Sequence, residues 1–530
     1  MPKEIQFSNE LRQALLSGIK IVSDAVKLTL GPRGRNVLIE RPGAFPAITK
    51  DGVTVAKAVN LKDQLGNLGV QAIIEAASKT NDTSGDGTTT CVVLAEAIYK
   101  EGVKHLTSGA NPMEIQRGIN IAVEKVVEEL TKIAKPVSNP DEITQVATIA
   151  SNGDVEIGAY ISEAMAKVGK EGIVTIEESK TTATSVSIVD GMQFDNGYLS
   201  AYFVKDQVKQ SVTLEDCYVL IYEKKLSDVQ KLASLMEKVA ATSRPILIIS
   251  DDLDGPVLTT LVINNLKGSL SSCAVKAPLF GNYRKDILRD IAVLTGGFAF
   301  TEDLGITLDK VTLEQLGRAK KITVTKDTTT IVEGMGNSKA VKDRIQLIKN
   351  QMVEEPSDYG RERLQERLAK LTGGVAVITI GAITQTALKE KKDRVEDALQ
   401  ATRAAVEEGI VPGGGTALVR CLISISQKHD GLSRDEKVGF DIVMKAIQEP
   451  LRQIANNAGK EGTVILEKVK ESKDVNYGYN ARNDVFEDLV AAGVVDPTKV
   501  TRSALENAAS VAGLLLTSDA AIIEEKKKEE

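Results

Sequence analysis

Tryptophan is absent from the 530 residues, and aromatics make up only 4%, so an aromatic left on the surface would need a reason. Histidine occurs twice, at His105 and His429, far apart. That argues against catalysis by a Ser-His or Cys-His pair and leaves acid–base work to carboxylates. The four cysteines, Cys91, Cys217, Cys273 and Cys421, form no C-x-x-C pair, which disfavours zinc and a disulfide framework and suits a reducing cytoplasm. No run of about 18 apolar residues is present to span a membrane. The opening MPKEIQFSNELRQ has neither the apolar stretch of a signal peptide nor the look of a transit peptide, so a cytoplasmic location is expected. A net charge of −7 leaves no nucleic-acid footprint.

What is present is patterned in three blocks. Leu11, Leu15, Ile19, Val22 and Val26 recur at steps of three and four, as do Ile115, Ile119, Ala122, Val126 and Leu130, so the first 135 residues read as mostly helical. The middle carries short β-rich runs at 172–178, 216–226, 245–252, 273–278 and 320–334, separated by helical patterns, which is the alternation of an α/β domain. A charged helical stretch from Ser338 to Leu371 closes at Gly373-Gly374, and beyond about Gln385 the chain is helical again. An α/β domain inserted into a helical base would give this order, and so would two unrelated helical domains flanking an α/β one. The closing EEKKKEE is expected to be disordered.

The segment Ser84–Thr90, SGDGTTT, runs directly into the apolar helical pattern of Val92, Val93, Ala95 and Ile98. Two glycines let backbone N–H groups approach a ligand, and the helix dipole puts positive charge at the same place. A phosphate suits this loop if a Mg²⁺ separates it from Asp86; an elaborate helix cap is the other reading. Thr29–Arg35, Ile48–Gly52 and Pro412–Thr416 are further Gly-containing turns, and none matches a Walker or dinucleotide fingerprint. Asp397, in RVEDALQATRAAVEE, reads in isolation as an ordinary exposed carboxylate.

Taken together and in order, TLGPRGRN, ITKDGVTVAK, GDGTTT, VGKEGIVTIEE, GMQFDNGYLS, KDTTTIVEG, ERLQERLAKLTGGVAVI, RVEDALQATRAAVEEGI, PGGGTAL, NYGYNA and DPTKVTRSAL resemble the group I chaperonins, the bacterial GroEL type, as far as about Ser518. The resemblance implies an α plus α/β multidomain chaperonin fold. The helical equatorial domain would take 1–133 and 409–520, the intermediate domain 134–189 and 375–408, and the inserted α/β apical domain 190–374, with a charged tail at 521–530 and hinges at Gly191 and Gly374. It implies heptameric rings, usually paired into a tetradecamer, that use ATP to assist non-native polypeptides under a GroES-type lid.

Position by position, the resemblance makes Thr29, Leu30, Gly31, Pro32, Lys50, Gly87, Thr88, Thr89 and Thr90 nucleotide contacts. Gly413 and Gly414 join them, with Asn480 and Ala481 near the base and Asp496 at the ribose. Asp86 would hold Mg²⁺; the Thr29 and Lys50 carbonyls with Thr89 would hold K⁺. Asp397 resembles the carboxylate that orients the attacking water, assisted by Asp51. Tyr198, Tyr202, Phe203, Met236, Leu258, Val262 and Ile263 would form an exposed apical rim shared by substrate and lid, Leu258, Val262 and Ile263 lying on one helical face. The chain departs from the family pattern at Ala201, Ala233, Leu279, Asn282 and Tyr283, and its tail lacks Gly-Gly-Met. Those departures fit a specialised copy beside a housekeeping one, with an intact ATPase.

Overall fold

The early apolar stripes become helices because each buries its stripe against the next. In the computed structural model the described residues are 3–40, 46–137, 139–151, 154–169, 172–179, 181–206, 210–302, 308–355, 357–425 and 431–524. Strand β1 (Lys3–Phe7) leads into α1 (Ser8–Lys27), a short hairpin β2 (Val37–Ile39) and β3 (Ala47–Thr49) follows, and then α2 (Gly52–Ala58), α3 (Gln64–Ser84), α4 (Thr88–Thr107) and α5 (Pro112–Ile133). Leu11, Leu15, Ile19, Val22 and Val26 of α1, and Ile115, Ile119, Ala122, Val126 and Leu130 of α5, are all buried in one core with α4. α5 starts where Asn111 caps the Met113 and Glu114 N–H groups with Pro112 at its first position, a standard start signal. Helices α6 (Pro140–Ala150) and α7 (Val155–Val168) complete this part.

The middle of the chain holds strands β4 (Ile173–Glu178), β5 (Ser185–Val189), β6 (Gly191–Phe194) and β7 (Val212–Tyr222), then α8 (Val229–Ala241), β8 (Ile246–Ser250), α9 (Gly255–Leu266), β9 (Ser272–Lys276), α10 (Gly281–Thr295) and β10 (Ala299–Phe300). Strands β11 (Gly317–Val324) and β12 (Thr329–Gly334), helices α11 (Ser338–Glu354) and α12 (Asp358–Thr372), and β13 (Val375–Ile380) follow. One seven-stranded sheet runs β6-β12-β11-β7-β8-β9 with β10 beside β7; β7, β8 and β9 are parallel and joined by the helical crossovers the sequence spacing predicts. The run read as one strand at 320–334 is an antiparallel pair, with Val324 opposite Thr329 across a turn. A smaller sheet, β4-β13-β5, joins residues two hundred positions apart.

The last part comprises α13 (Gln385–Glu408), β14 (Ile410–Pro412), α14 (Thr416–Ile425), α15 (Arg434–Ala446), α16 (Glu449–Asn457), α17 (Gly462–Glu471), the hairpin β15 (Tyr477–Asn480) and β16 (Val485–Asp488), β17 (Val495–Pro497), α18 (Thr498–Thr517) and β18 (Ala520–Glu524). The fold divides into two compact units: Met1–Ser162 with Lys389–Glu530, and Glu163–Leu388. The second is thus inserted in the first. One expectation fails at the end of the chain. Residues 521–524 are not disordered but continue β18, which pairs with β1 in register Lys3–Glu524 to Phe7–Ala520; Ile522 stands opposite Ile5, and Ala521 and Ile523 share the other, half-buried face. The rest of the charged tail, and His429, lie outside the described residues.

No helix among the described residues is long and apolar enough to cross a membrane. All four cysteines are free and buried, and burial pushes the thiols of Cys91, Cys217 and Cys421 up to about 12.

Candidate functional site

Two helix N-termini converge in the first unit. Gly87 (φ +83°) opens α4 in the left-handed region open to glycine, and its N–H donates to Asp86 Oδ1 at 2.6 Å. Asp51 caps α2, accepting from the Val53 and Thr54 N–H groups. Gly52 then meets Thr88 and Thr89 so closely that a Cβ would stand 2.4 Å from Thr89 Oγ1 and 2.9 Å from Thr88 Oγ1. The N-terminal ends of α2 and α4 therefore adjoin, and the twenty-residue α4 brings the positive end of its dipole to the Gly87–Thr90 backbone.

The Thr29–Pro32 loop closes one side. Thr29 Oγ1 donates to the Val26 carbonyl at 2.8 Å and lies 3.4 Å from Thr89 Oγ1. Gly31 (φ +82°) packs on Ile454, and Asn457 Nδ2 donates to the Lys27 and Leu30 carbonyls, both at 2.9 Å. Ile454 and Asn457 were not singled out in the sequence, because a supporting residue on α16 carries no local signature. On another side Gly413 N–H donates to the Val494 carbonyl and its missing Cβ leaves room for Asp496 Oδ1, 3.1 Å from where it would be. Asp496 accepts from the Gly414 and Gly415 N–H groups.

Four carboxylates share the recess, and their electrostatics report its shape. Asp51, Asp86 and Asp397 all reach solvent, yet the surrounding chain displaces most of the water around Asp86 and Asp397. That enclosure pushes the Asp397 carboxyl up to about 8, with the negative charges of Asp86 and Asp51 adding to it. Burial raises Asp86, against the lowering effect of the Gly87 N–H, and Asp51 raises it further. Asp496 is pushed up to about 7 by burial and then by Asp86. Like charges crowded at one site favour a cation among them.

The residues present would hold Mg²⁺ only together with a ligand that supplies oxygen donors. Among the described residues no group of three or more His, Cys, Asp or Glu is arranged to hold a metal. Mg²⁺ is commonly bound through one or two carboxylates plus substrate phosphates, so Asp86 beside an anion-binding helix terminus suffices. The Thr29 and Thr89 hydroxyls meet, and Lys50 precedes the Asp51 cap, so the three residues expected at a K⁺ site lie together. Asn480 and Ala481, the residues expected near a base, are both buried. The Asn480 side chain is committed to its own hairpin, donating to Glu487 Oε1 at 2.7 Å and accepting from the Arg482 N–H at 3.0 Å.

The apical rim expected from the sequence divides. Tyr202 is 71% and Ile263 44% exposed, whereas Phe203 and Met236 are buried in the core of the second unit. Tyr198, Leu258 and Val262 are half-buried and pack on that core. Phe203 and Met236 are therefore core residues: Phe203 closes a single 3-10 turn over the sheet, and Met236 lies on the inner face of α8 with Leu232, Leu235 and Val239. On α9 the buried positions are Val257 and Leu261, while Leu258 and Val262 are half-buried and Ile263 is exposed. Leu266 at the end of α9 is exposed and was not foreseen, as is Phe280. Gly191 and Gly374 mark close approaches: a Cβ on Gly191 would stand 2.5 Å from Val375 Cγ2, and Gly374 (φ +59°) lies against the Val189 carbonyl.

Helices at both ends of the chain, an inserted sheet domain and a recess of glycine turns and carboxylates drawn from both ends of the sequence define a class with known members. Residues 22–527 match the model of the TCP-1/cpn60 chaperonin family. The chain belongs to that family and is a chaperonin-type folding assistant. Among solved structures it is similar to chaperonin gp146 from the bacteriophage EL 2 (Pseudomonas aeruginosa), crystallised in the presence of ATP-BeFx, at 22% identity, covering 98% of this chain and 99% of that chain with a TM-score of 0.69.

Proposed function

We propose that this chaperonin is the subunit of an ATP-driven folding chamber of the group I type, with cytoplasmic heptameric rings, a GroES-type lid and non-native polypeptides as clients. One observation carries the nucleotide part: the N-termini of α2 and α4 meet at Gly52 and Thr89 beside four crowded carboxylates. That site suits the β- and γ-phosphates, held by the N–H groups of Gly87 to Thr90 and the hydroxyls of Thr88, Thr89 and Thr90, with Thr29 to Pro32 and Gly413 to Gly414 flanking the sugar and base. When bound at Asp86, Mg²⁺ would offset the charge of phosphates and carboxylates, which replaces the lysine of a Walker loop; K⁺ near Thr29, Lys50 and Thr89 would add to it.

Asp397 then accepts the proton of the attacking water. In the nucleotide-free protein burial and the neighbouring carboxylates raise its carboxyl to about 8, so it would act as that base in its ionised form, which a cation at Asp86 would favour. Asp51, fixed by its capping bonds, holds the Thr54 side of the recess in place and adds negative charge near Asp397. Gly191 and Gly374 would serve as hinges that couple the nucleotide state to the apical domain, where Tyr202 and Ile263 expose apolar surface to unfolded chains.

The test is recovery of an aggregation-prone enzyme with ATP and the cognate lid; yield no higher than with rings alone would sink the chamber. A second reading, an ATP-regulated scaffold with few clients, is favoured by the smaller rim left once Phe203 and Met236 belong to the core. ATP turnover without refolding of any general substrate would select it.

A further inference from the structure

Helix α13 brings Asp397 to the recess, and three residues further on it touches the phosphate loop. Gly85 is the left-handed C-cap of α3 (φ +69°). A Cβ built on it would stand 2.5 Å from Gln400 Cβ, 2.8 Å from Gln400 Cγ and 3.3 Å from Gln400 Cδ. The aliphatic stem of Gln400 therefore lies directly on bare backbone of the loop that leads through Asp86 to Gly87. Residues three apart lie on one face of a helix, so Asp397 and Gln400 look toward the same loop. Behind them Val395, Ala398, Leu399, Ala401 and Thr402 are buried, which fixes the rear of α13 against the fold. The helix is held between that packing and the Gln400–Gly85 contact.

We infer that Gln400 is a positioning residue: the bulk of its side chain against Gly85 sets the separation between α13 and the phosphate loop, and with it the reach of Asp397 to the attacking water. This rests on the nucleotide-hydrolysing reading of the recess. The loop's own conformation is held by α3 and α4, so shortening Gln400 leaves ground-state nucleotide binding in place while Asp397 loses its register. Misplacement of a base by about an ångström can cost up to about a hundredfold in rate. The contact is made by the stem, so methionine, of equal length and without the amide, should replace glutamine.

The experiment is steady-state ATP hydrolysis by the assembled protein for the native sequence, Gln400→Ala and Gln400→Met, with hydrogen exchange of the nucleotide-free proteins over residues 84–90 as a second readout. Gln400→Ala should lower kcat about tenfold or more with KM within about twofold. It should also speed amide exchange in the loop. Gln400→Met should match the native sequence in both. Native kcat and exchange in Gln400→Ala overturn the inference while the nucleotide reading stands. Equal losses in the two variants also overturn it, because they would assign the effect to the amide. Absence of ATP turnover in the native sequence sinks the nucleotide reading itself, and this inference with it.

Discussion

Gly52 and Thr89 are in contact across the mouth of the recess: a Cβ on the glycine would stand 2.4 Å from Thr89 Oγ1 and 3.0 Å from the Thr89 backbone nitrogen. The two helix N-termini can adjoin this closely only because residue 52 has no side chain. Gly52→Ala should push α2 and α4 apart at a cost of about 1–3 kcal/mol, the usual range for overpacking. If that strain falls on binding, ATP affinity drops roughly five- to hundredfold. Titration calorimetry measures it, and an unchanged Kd would remove Gly52 from the site.

Asp397→Ala removes the proposed base without touching the loop. Turnover should fall by about 10²–10⁴, the range of a lost general base, with nucleotide binding nearly intact. Turnover at the native rate would falsify the role given to Asp397.

The same residue makes a pH prediction for the nucleotide-free protein. Its carboxyl is pushed up to about 8 in the fold, whereas an aspartate in an unfolded chain titrates near 3.9. Between those values the folded state holds a proton that the unfolded state has released. This contribution to stability is fully present below about pH 4 and is lost as pH rises through about 8. Asp397→Asn is neutral throughout, so it should raise the melting temperature over the native sequence at about pH 8.5 and change it little at about pH 4. A melting-temperature difference of the same size at both pH values would contradict the assignment.

In the second unit, Arg367 donates Nε to Asp290 Oδ2 at 2.8 Å and a terminal nitrogen to Asp290 Oδ1 at 3.1 Å, while Arg344 Nε donates to the same Oδ1 at 2.6 Å. Asp290 is fully buried and the Arg367 side chain is 4% exposed. Asp290→Ala removes two bonds from Arg367 and one from Arg344 but leaves Arg367 paired with Asp286 Oδ2 at 3.1 Å, so the loss should stay below the about 3–5 kcal/mol of a buried charge left wholly unpaired. Thermal unfolding should show the transition of this unit shifting down while that of the helical unit stays; a shift under 1 °C would mean the network adds nothing.

Tyr202 and Phe203 are adjacent and should behave oppositely. Tyr202→Glu, at an exposed site, should abolish capture of unfolded chains and leave folding and basal ATP turnover intact. Phe203→Glu should instead destabilise the second unit, because it places a charge in the core. Light scattering of a denatured client and circular dichroism separate the two, and normal capture by Tyr202→Glu would exclude it from the rim.

Much of the scaffold was legible beforehand because it is written in local periodicity. The stripes of α1 and α5 are buried as their spacing predicts, and the strand–helix alternation between 216 and 278 predicts the α/β character of the second unit. Pairings between remote segments were not: β1 and β18 are some five hundred residues apart, and neither is long enough to announce itself. The rim was half legible, since GYLSAYF marks a cluster of aromatics but not which ring turns inward.

The amino-acid order alone determined that Ser84–Thr90 would be a glycine-flanked helix start with an aspartate in it, because helix signals and backbone freedom depend on neighbours in the chain. Only the tertiary structure decided what that start does. It set the N-terminus of α2 against it through Gly52, brought Asp496 and Asp397 from three to four hundred residues away, and crowded chain and like charge around their carboxyls, which raises both. Charge crowding and desolvation are properties of assembled space, and no local pattern encodes them.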